Sequence, residues 1–141
     1  MRPGLGLLLL VLCACGDGSN APRADQLIFP RDFATTYQPV RNCRLSNAHD
    51  LHFISVYASP ETAADYLEGD YPLAEGAILV KALHDDPTCA TPVGYVAMRK
   101  DGDWTWQETE ADFTSLASGP LQSCIGCHTA CADRDFTCTD P

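Results

Sequence analysis

The chain has 141 residues with 19 acidic and 9 basic side chains, a formal net charge of −10. That balance disfavours nucleic acid and anionic lipid surfaces as partners. The length and the 45% hydrophobic share suit one domain with its own core.

Met1-Arg2 is a short basic start, residues 5–12 are an apolar run rich in leucine, and Cys13-Ala14-Cys15-Gly16 follows. A charged start, a short apolar run and a small residue before a cut make a secretory signal. The run falls short of the roughly 20 apolar residues that a permanent span needs. Leu12-Cys13-Ala14-Cys15 resembles a bacterial lipobox, with residues 1–14 as signal peptide and Cys15 as the lipidated first residue. Cys13 fits less well, because Leu12 would then occupy the cleavage position; a plain signal peptide cut nearby is the alternative to the favoured lipoprotein. Residues 15–25 carry no apolar pattern and read as a flexible tether at the membrane surface. The expected setting is the bacterial cell envelope, facing the periplasm or the cell surface. Loss of residues 1–14 removes one basic residue and no acidic one, so the remaining 127 residues carry a net charge of −11.

Residues 26–141 form the expected domain. Phe29, Phe33, Tyr37 and Val40 recur at helical spacing and predict a short N-terminal helix, with Pro30 near its start and Pro39 ending it. Residues 51–57 read as a strand. Ser59-Pro60 is a cap signal for a helix over 60–67, stopped by Gly69. After a turn at Glu75-Gly76, residues 77–83 make an apolar strand interrupted only by Lys81, and 84–92 a polar loop. Residues 93–99 and 103–109 are strands joined by the hairpin signal Asp101-Gly102, with Trp104 and Trp106 on one face of the second. A short helix is expected over 111–118. The class is α+β: a small antiparallel sheet with a few helices.

Near the C-terminus stands Cys124-Ile125-Gly126-Cys127-His128. C-x-x-C-H is the attachment pattern of a c-type heme: two thiols three apart form thioethers to one porphyrin, and the adjacent imidazole supplies an axial nitrogen to the iron. A structural zinc site is the rival, with Cys131 and Cys138 as the second ligand pair. With Cys13, Cys15, Cys124 and Cys127 set aside, Cys43, Cys89, Cys131 and Cys138 remain. An even remainder in an oxidising compartment suggests two disulfides. Cys131–Cys138 would close a small loop behind the histidine and Cys43–Cys89 would tie the N-terminal segment to the sheet. Spacing does not fix the pairing, and free thiols or metal ligation stay open.

The blocks Glu75 to Lys81, Met98-Arg99-Lys100, Trp104-Thr105-Trp106 and Cys124 to His128, with Asp133 to Phe136 just beyond, resemble the cytochrome P-460 family in content and order. The resemblance covers most of the chain, from Phe29 to Phe136. It implies a β-rich, often dimeric domain with one c-type heme on Cys124 and Cys127 and with His128 as proximal iron ligand. Relatives of the cytochrome c′-beta type bind nitric oxide at five-coordinate iron. Enzymatic members oxidise hydroxylamine, and some carry a lysine cross-linked to the porphyrin; Lys81 is the candidate here. An edge-facing or snorkelling lysine is the plainer alternative. Catalytic members also use a distal carboxylate, for which Glu108, Glu110 and Asp112 are the nearest acids.

Met98 is a candidate sixth ligand, although a strand methionine is usually core. His49, His52 and His84 are further candidate ligands, although His49 and His84 lie in polar stretches and read as solvated, and His52 as exposed. Trp104 and Trp106 fit a pocket wall or ordinary packing, and Asp85-Asp86 a solvated loop. Four functions follow: a nitric-oxide-binding cytochrome with an open iron, a hydroxylamine oxidoreductase, a six-coordinate electron carrier serving a basic redox partner, and a heme-free lipoprotein held by disulfides or zinc.

Overall fold

A computed structural model describes residues 26–139; the expected signal peptide, the expected tether and Cys15 lie outside the described residues. Six strands, β1 (Gln38–Leu45), β2 (Phe53–Ala58), β3 (Ile78–His84), β4 (Gly94–Asp101), β5 (Asp103–Glu110) and β6 (Ser115–Gly119), form one antiparallel sheet in chain order. Three short helices, α1 (Phe33–Thr36), α2 (Ala63–Glu68) and α3 (Gln122–His128), accompany it, and a 3-10 turn over Thr129–Arg134 follows α3. The α+β class is as expected. None of the described helices is long and apolar enough to cross a membrane.

Both faces of the sheet are covered, which is why β3 reads as a continuous apolar run. Side chains alternate along it: Leu79, Lys81 and Leu83 face one way and Val80, Ala82 and His84 the other. On the first face Ile54, Val56, Leu79, Met98, Trp104 and Trp106 pack with Tyr66 of α2, and Cys124 and Ile125 of α3 lean on that cluster. On the second face Val80, Ala82, Tyr95 and Ala97 pack with Ile28, Phe29 and Phe33. Edge-to-face rings tie this layer together, with Phe33 and Tyr95 centroids 5.3 Å apart. Gly94 permits a close strand crossing, since a Cβ there would meet the Thr109 carbonyl at 2.9 Å.

Two expected helices are corrected. The N-terminal one stops at Thr36, because Pro39 biases Gln38 to extended backbone. Val40 then sits in β1, which pairs with β2 from Gln38 opposite Ala58. The helix expected over 111–118 is β6. Phe113 takes a left-handed φ of 69°, and the Asp112 carboxylate accepts the Thr114 N–H at 2.8 Å, so a turn sends the chain back along β5. The helix expected over 60–67 starts later, at Ala63, after a turn in which the Ser59 carbonyl accepts from the Thr62 and Ala63 N–H groups. Gly69 ends it at φ 74°, as expected.

Gln107 joins the N-terminal segment to the sheet. It is 1% exposed; its Oε1 accepts the Ile28 N–H at 2.9 Å and its Nε2 donates to the Gln26 carbonyl at 2.9 Å. Replacement by leucine strands one backbone donor and one acceptor, each worth about 1–3 kcal/mol when left unmade. Gln107→Leu is expected to lose about 2–4 kcal/mol. Urea melts should show a lower midpoint at unchanged slope.

Candidate functional site

The C-terminal block closes the first face of the sheet. Pro120 and the extended Leu121 end β6, and the Leu121 carbonyl accepts from the Cys124 and Ile125 N–H groups to start α3. Positions three apart on a helix share a face. Cys124 and Cys127 therefore sit one turn apart, and they are free thiols. Cys124 is half-buried with Sγ 3.7 Å from Glu108 Oε1, and burial followed by the Glu108 charge pushes its pKa up.

His128 follows, 9% exposed, edge-on to the Trp106 ring with centroids 4.5 Å apart. Its Nδ1 lies 2.6 Å from the Phe136 carbonyl. A carbonyl only accepts, so Nδ1 carries the proton and Nε2 keeps a free lone pair. Burial lowers the His128 pKa, which favours the neutral, ligating form. The carbonyl is presented by a turn in which Asp135 (φ 53°) and Phe136 (φ 64°) are both left-handed. Neither is glycine, and such residues persist only where the surroundings hold them, at roughly 1–3 kcal/mol each.

Before these residues opens a cavity of about 470 Å³, within the ordinary range for cofactor sites. Cys124, Cys127 and His128 line it together with Val56, Leu79, Lys81, Val96, Met98, Trp106 and Glu108. Register explains part of that list. Val56 pairs with Lys81, Lys81 with Val96, Val96 with Glu108 and Glu108 with Ala117, so one row crosses five strands. Arg41 of β1 extends that row opposite Val56, and Lys81 and Glu108 are its charged members that line the cavity, two strands apart.

A loop between β1 and β2 supplies the far wall. Asp50 and Leu51 take left-handed backbone and fold it inward, and His49 Nε2 comes within 2.9 Å of Lys81 Nζ. Burial, then the Lys81 charge, brings His49 down to about 4. Burial, then Arg44, brings Lys81 down to about 8. Lys81 is therefore neither edge-facing nor snorkelling: β3 is an interior strand and the amine points into the cavity.

Other candidates fall out as follows. His49, expected in solvent, is half-buried on the cavity wall. His84, also expected in solvent, ends β3 and is 4% exposed. His52 is half-buried, with Nδ1 3.0 Å from Asp85 Oδ1. Met98 packs in the core between its strand partners Leu79 and Trp106, and also meets the cavity. Of the three acids, Glu108 reaches the cavity, whereas Glu110 and Asp112 are exposed. Trp106 walls the cavity, and Trp104 donates Nε1–H to Asp135 Oδ1 at 3.2 Å. Asp86 accepts from the Thr88 N–H, as suits a loop. Sequence could not place His49 on the wall, because its loop has no periodicity and only tertiary folding brings it to Lys81.

Cys43–Cys89 and Cys131–Cys138 are disulfides. The second bridge uses the sulfurs that a zinc site on Cys124 and Cys127 would have required. No group of three or more His, Cys, Asp or Glu side chains among the described residues is arranged to hold a bare metal ion. The cavity does suit a heme: two free thiols one turn apart, an imidazole with its Nε2 lone pair open, and apolar walls. Trp106 Nε1 is buried there without a hydrogen-bond partner among the described residues, a donor left for a ligand.

No protein-family model matches the chain, and no curated protein matches it.

Proposed function

We propose that the chain is an exported, lipid-anchored monoheme c-type cytochrome of the cytochrome P-460 type. It binds or converts a small nitrogen species, nitric oxide or hydroxylamine, at an open heme iron, on the periplasmic side of a bacterial envelope with Cys15 as anchor. One observation carries this reading: Cys124, Cys127 and His128 meet on the wall of a single cavity whose sheet row presents Lys81 and Glu108.

A bound heme would supply an iron with one assured protein ligand and one open position. Cys124 and Cys127 would hold it by thioethers, and His128 would offer Nε2 while the Phe136 carbonyl fixes its tautomer. Val56, Val96 and Leu79 give the cavity its apolar lining. Glu108 is the carboxylate placed to hold or accept a proton there. Lys81, at a pKa of about 8, keeps about a tenth of its amine neutral at pH 7, far more than an ordinary lysine. A neutral amine is the nucleophilic form; bonding it to a porphyrin carbon would release two protons and two electrons, so the cross-link would also need a two-electron oxidant such as a peroxide.

The deciding measurement is the optical spectrum of purified, fully matured protein. Ferrous protein is expected to be five-coordinate and high-spin and to shift on addition of nitric oxide; a low-spin spectrum that ignores nitric oxide overturns the open-iron reading. Mass spectrometry tests the converting form. A heme-bearing Lys81 peptide, lost in Lys81→Arg, is expected together with hydroxylamine turnover to an artificial electron acceptor. Absence of both leaves binding alone.

His49 favours a second reading. Its imidazole lies on the cavity wall and its low pKa keeps it neutral, so it is a candidate sixth ligand for an electron carrier. Low-spin protein that becomes high-spin in His49→Ala would establish that reading.

A further inference from the structure

Behind the cavity the carboxylate of Asp135 gathers three donors. Its Oδ2 accepts from Lys100 Nζ at 2.7 Å and from the Leu73 N–H at 2.9 Å, and its Oδ1 accepts from Trp104 Nε1 at 3.2 Å. Lys100 Nζ also donates to the Leu73 carbonyl at 2.9 Å. The Asp135–Lys100 pair is nearly dry, with side chains 11% and 12% exposed. Such a pair holds one geometry, because either partner alone would be a buried charge. Asp135 is also the residue whose left-handed backbone begins the turn that points the Phe136 carbonyl at His128. The turn is closed by the Phe136 N–H to the Cys131 carbonyl at 2.9 Å.

We infer that Asp135, clamped by Lys100 and Trp104, is a positioning residue for the proximal histidine. It aims the Phe136 carbonyl at His128 Nδ1 and so sets how strongly Nε2 donates to iron. This rests on the heme reading above. A hydrogen bond accepted from Nδ1–H makes the imidazole a more basic ligand. A more basic ligand favours ferric iron and lowers the reduction potential. Loosening the clamp lengthens that hydrogen bond and raises the potential.

The clamp's signature is the sign of the shift. If Asp135 and Lys100 acted on the iron only as charges, removing the negative one would raise the potential and removing the positive one would lower it. A clamp predicts a rise for both. We therefore expect Asp135→Asn and Lys100→Met holoprotein each to show an upward shift near tenfold in the one-electron equilibrium, about 59 mV. The iron–histidine stretch in ferrous resonance Raman spectra should fall in both. Trp104→Phe removes one hydrogen bond and no charge, and should give a smaller rise; it serves as the test if the charged variants fail to mature. Opposite shifts for Asp135→Asn and Lys100→Met, or an unmoved potential and stretch in Trp104→Phe, overturn the clamp. A wild-type protein without a pyridine hemochrome overturns the heme reading itself, and the clamp with it, before any variant is compared.

Discussion

Exported with the c-type maturation machinery, the wild-type chain should be one heme heavier than Cys124→Ala/Cys127→Ala carrying the same N-terminus, after allowance for the substitutions themselves. The argument rests on sulfur accounting. Among the described residues Cys124 and Cys127 are the free thiols, while Cys43, Cys89, Cys131 and Cys138 are spent in bridges. No described cysteine is left to substitute for the pair. The effect should be near-total in a pyridine hemochrome assay of denatured protein, since noncovalent heme is washed away. Each single variant keeps one thioether site and should retain partial, heterogeneous attachment. His128→Ala separates the roles: it leaves both thiols and removes the Nε2 that ligates. Its expected product keeps covalent mass in reduced yield, with altered iron ligation. Colourless wild-type protein with no heme mass would end the functional account and leave a disulfide-bonded α+β fold.

β2, β3 and β4 were legible because packing on both faces demands apolar, β-branched residues, as in Ile78 to Leu83 and Gly94 to Met98, and β5 because the Asp101-Gly102 turn and alternating tryptophans mark a return strand. The two edges were not. β1 has a single buried side chain, Val40, and reads as a polar stretch with a helical coincidence of Phe29, Phe33 and Tyr37 before it. Those aromatics do share a surface, but it is the second sheet face rather than a helix stripe. β6 has no fully buried side chain, so its pairing with β5 is backbone chemistry that side-chain pattern does not report.

Within the site, legibility followed covalent spacing. Cys124, Cys127 and His128 are close in sequence because one cofactor would have to be gripped by one helical turn. Lys81 stood out because charge inside an apolar strand is rare. Choosing Glu108 over Glu110 and Asp112 required the register, which puts Glu108 in one row with Lys81. His49 required the inward fold of its loop. Asp135 required knowing that Leu73, Lys100 and Trp104 converge, contacts made across 62, 35 and 31 residues of chain.

Removing the longer disulfide should cost more stability than any single core truncation short of the largest. Cys43–Cys89 spans 46 residues and joins β1 to the loop after β3, whereas Cys131–Cys138 spans 7. On the chain-entropy account the first restrains the unfolded chain by about 4 kcal/mol and the second by about 2.5 kcal/mol. Against a total stability of about 5–15 kcal/mol, the first is a large share. Cys43→Ala/Cys89→Ala should therefore unfold in urea at a much lower midpoint, and its steeper slope would report the more expanded unfolded state. Cys131→Ala/Cys138→Ala should lose less stability yet disturb the site more, because its bridge brackets the turn that offers Phe136 to His128. The contrast is the check: stability loss ranked by loop length, and spectral change ranked by nearness to His128. A shorter bridge that mattered more to the melt than the longer one would mean that native-state contacts around Cys131, rather than unfolded-chain entropy, dominate its contribution.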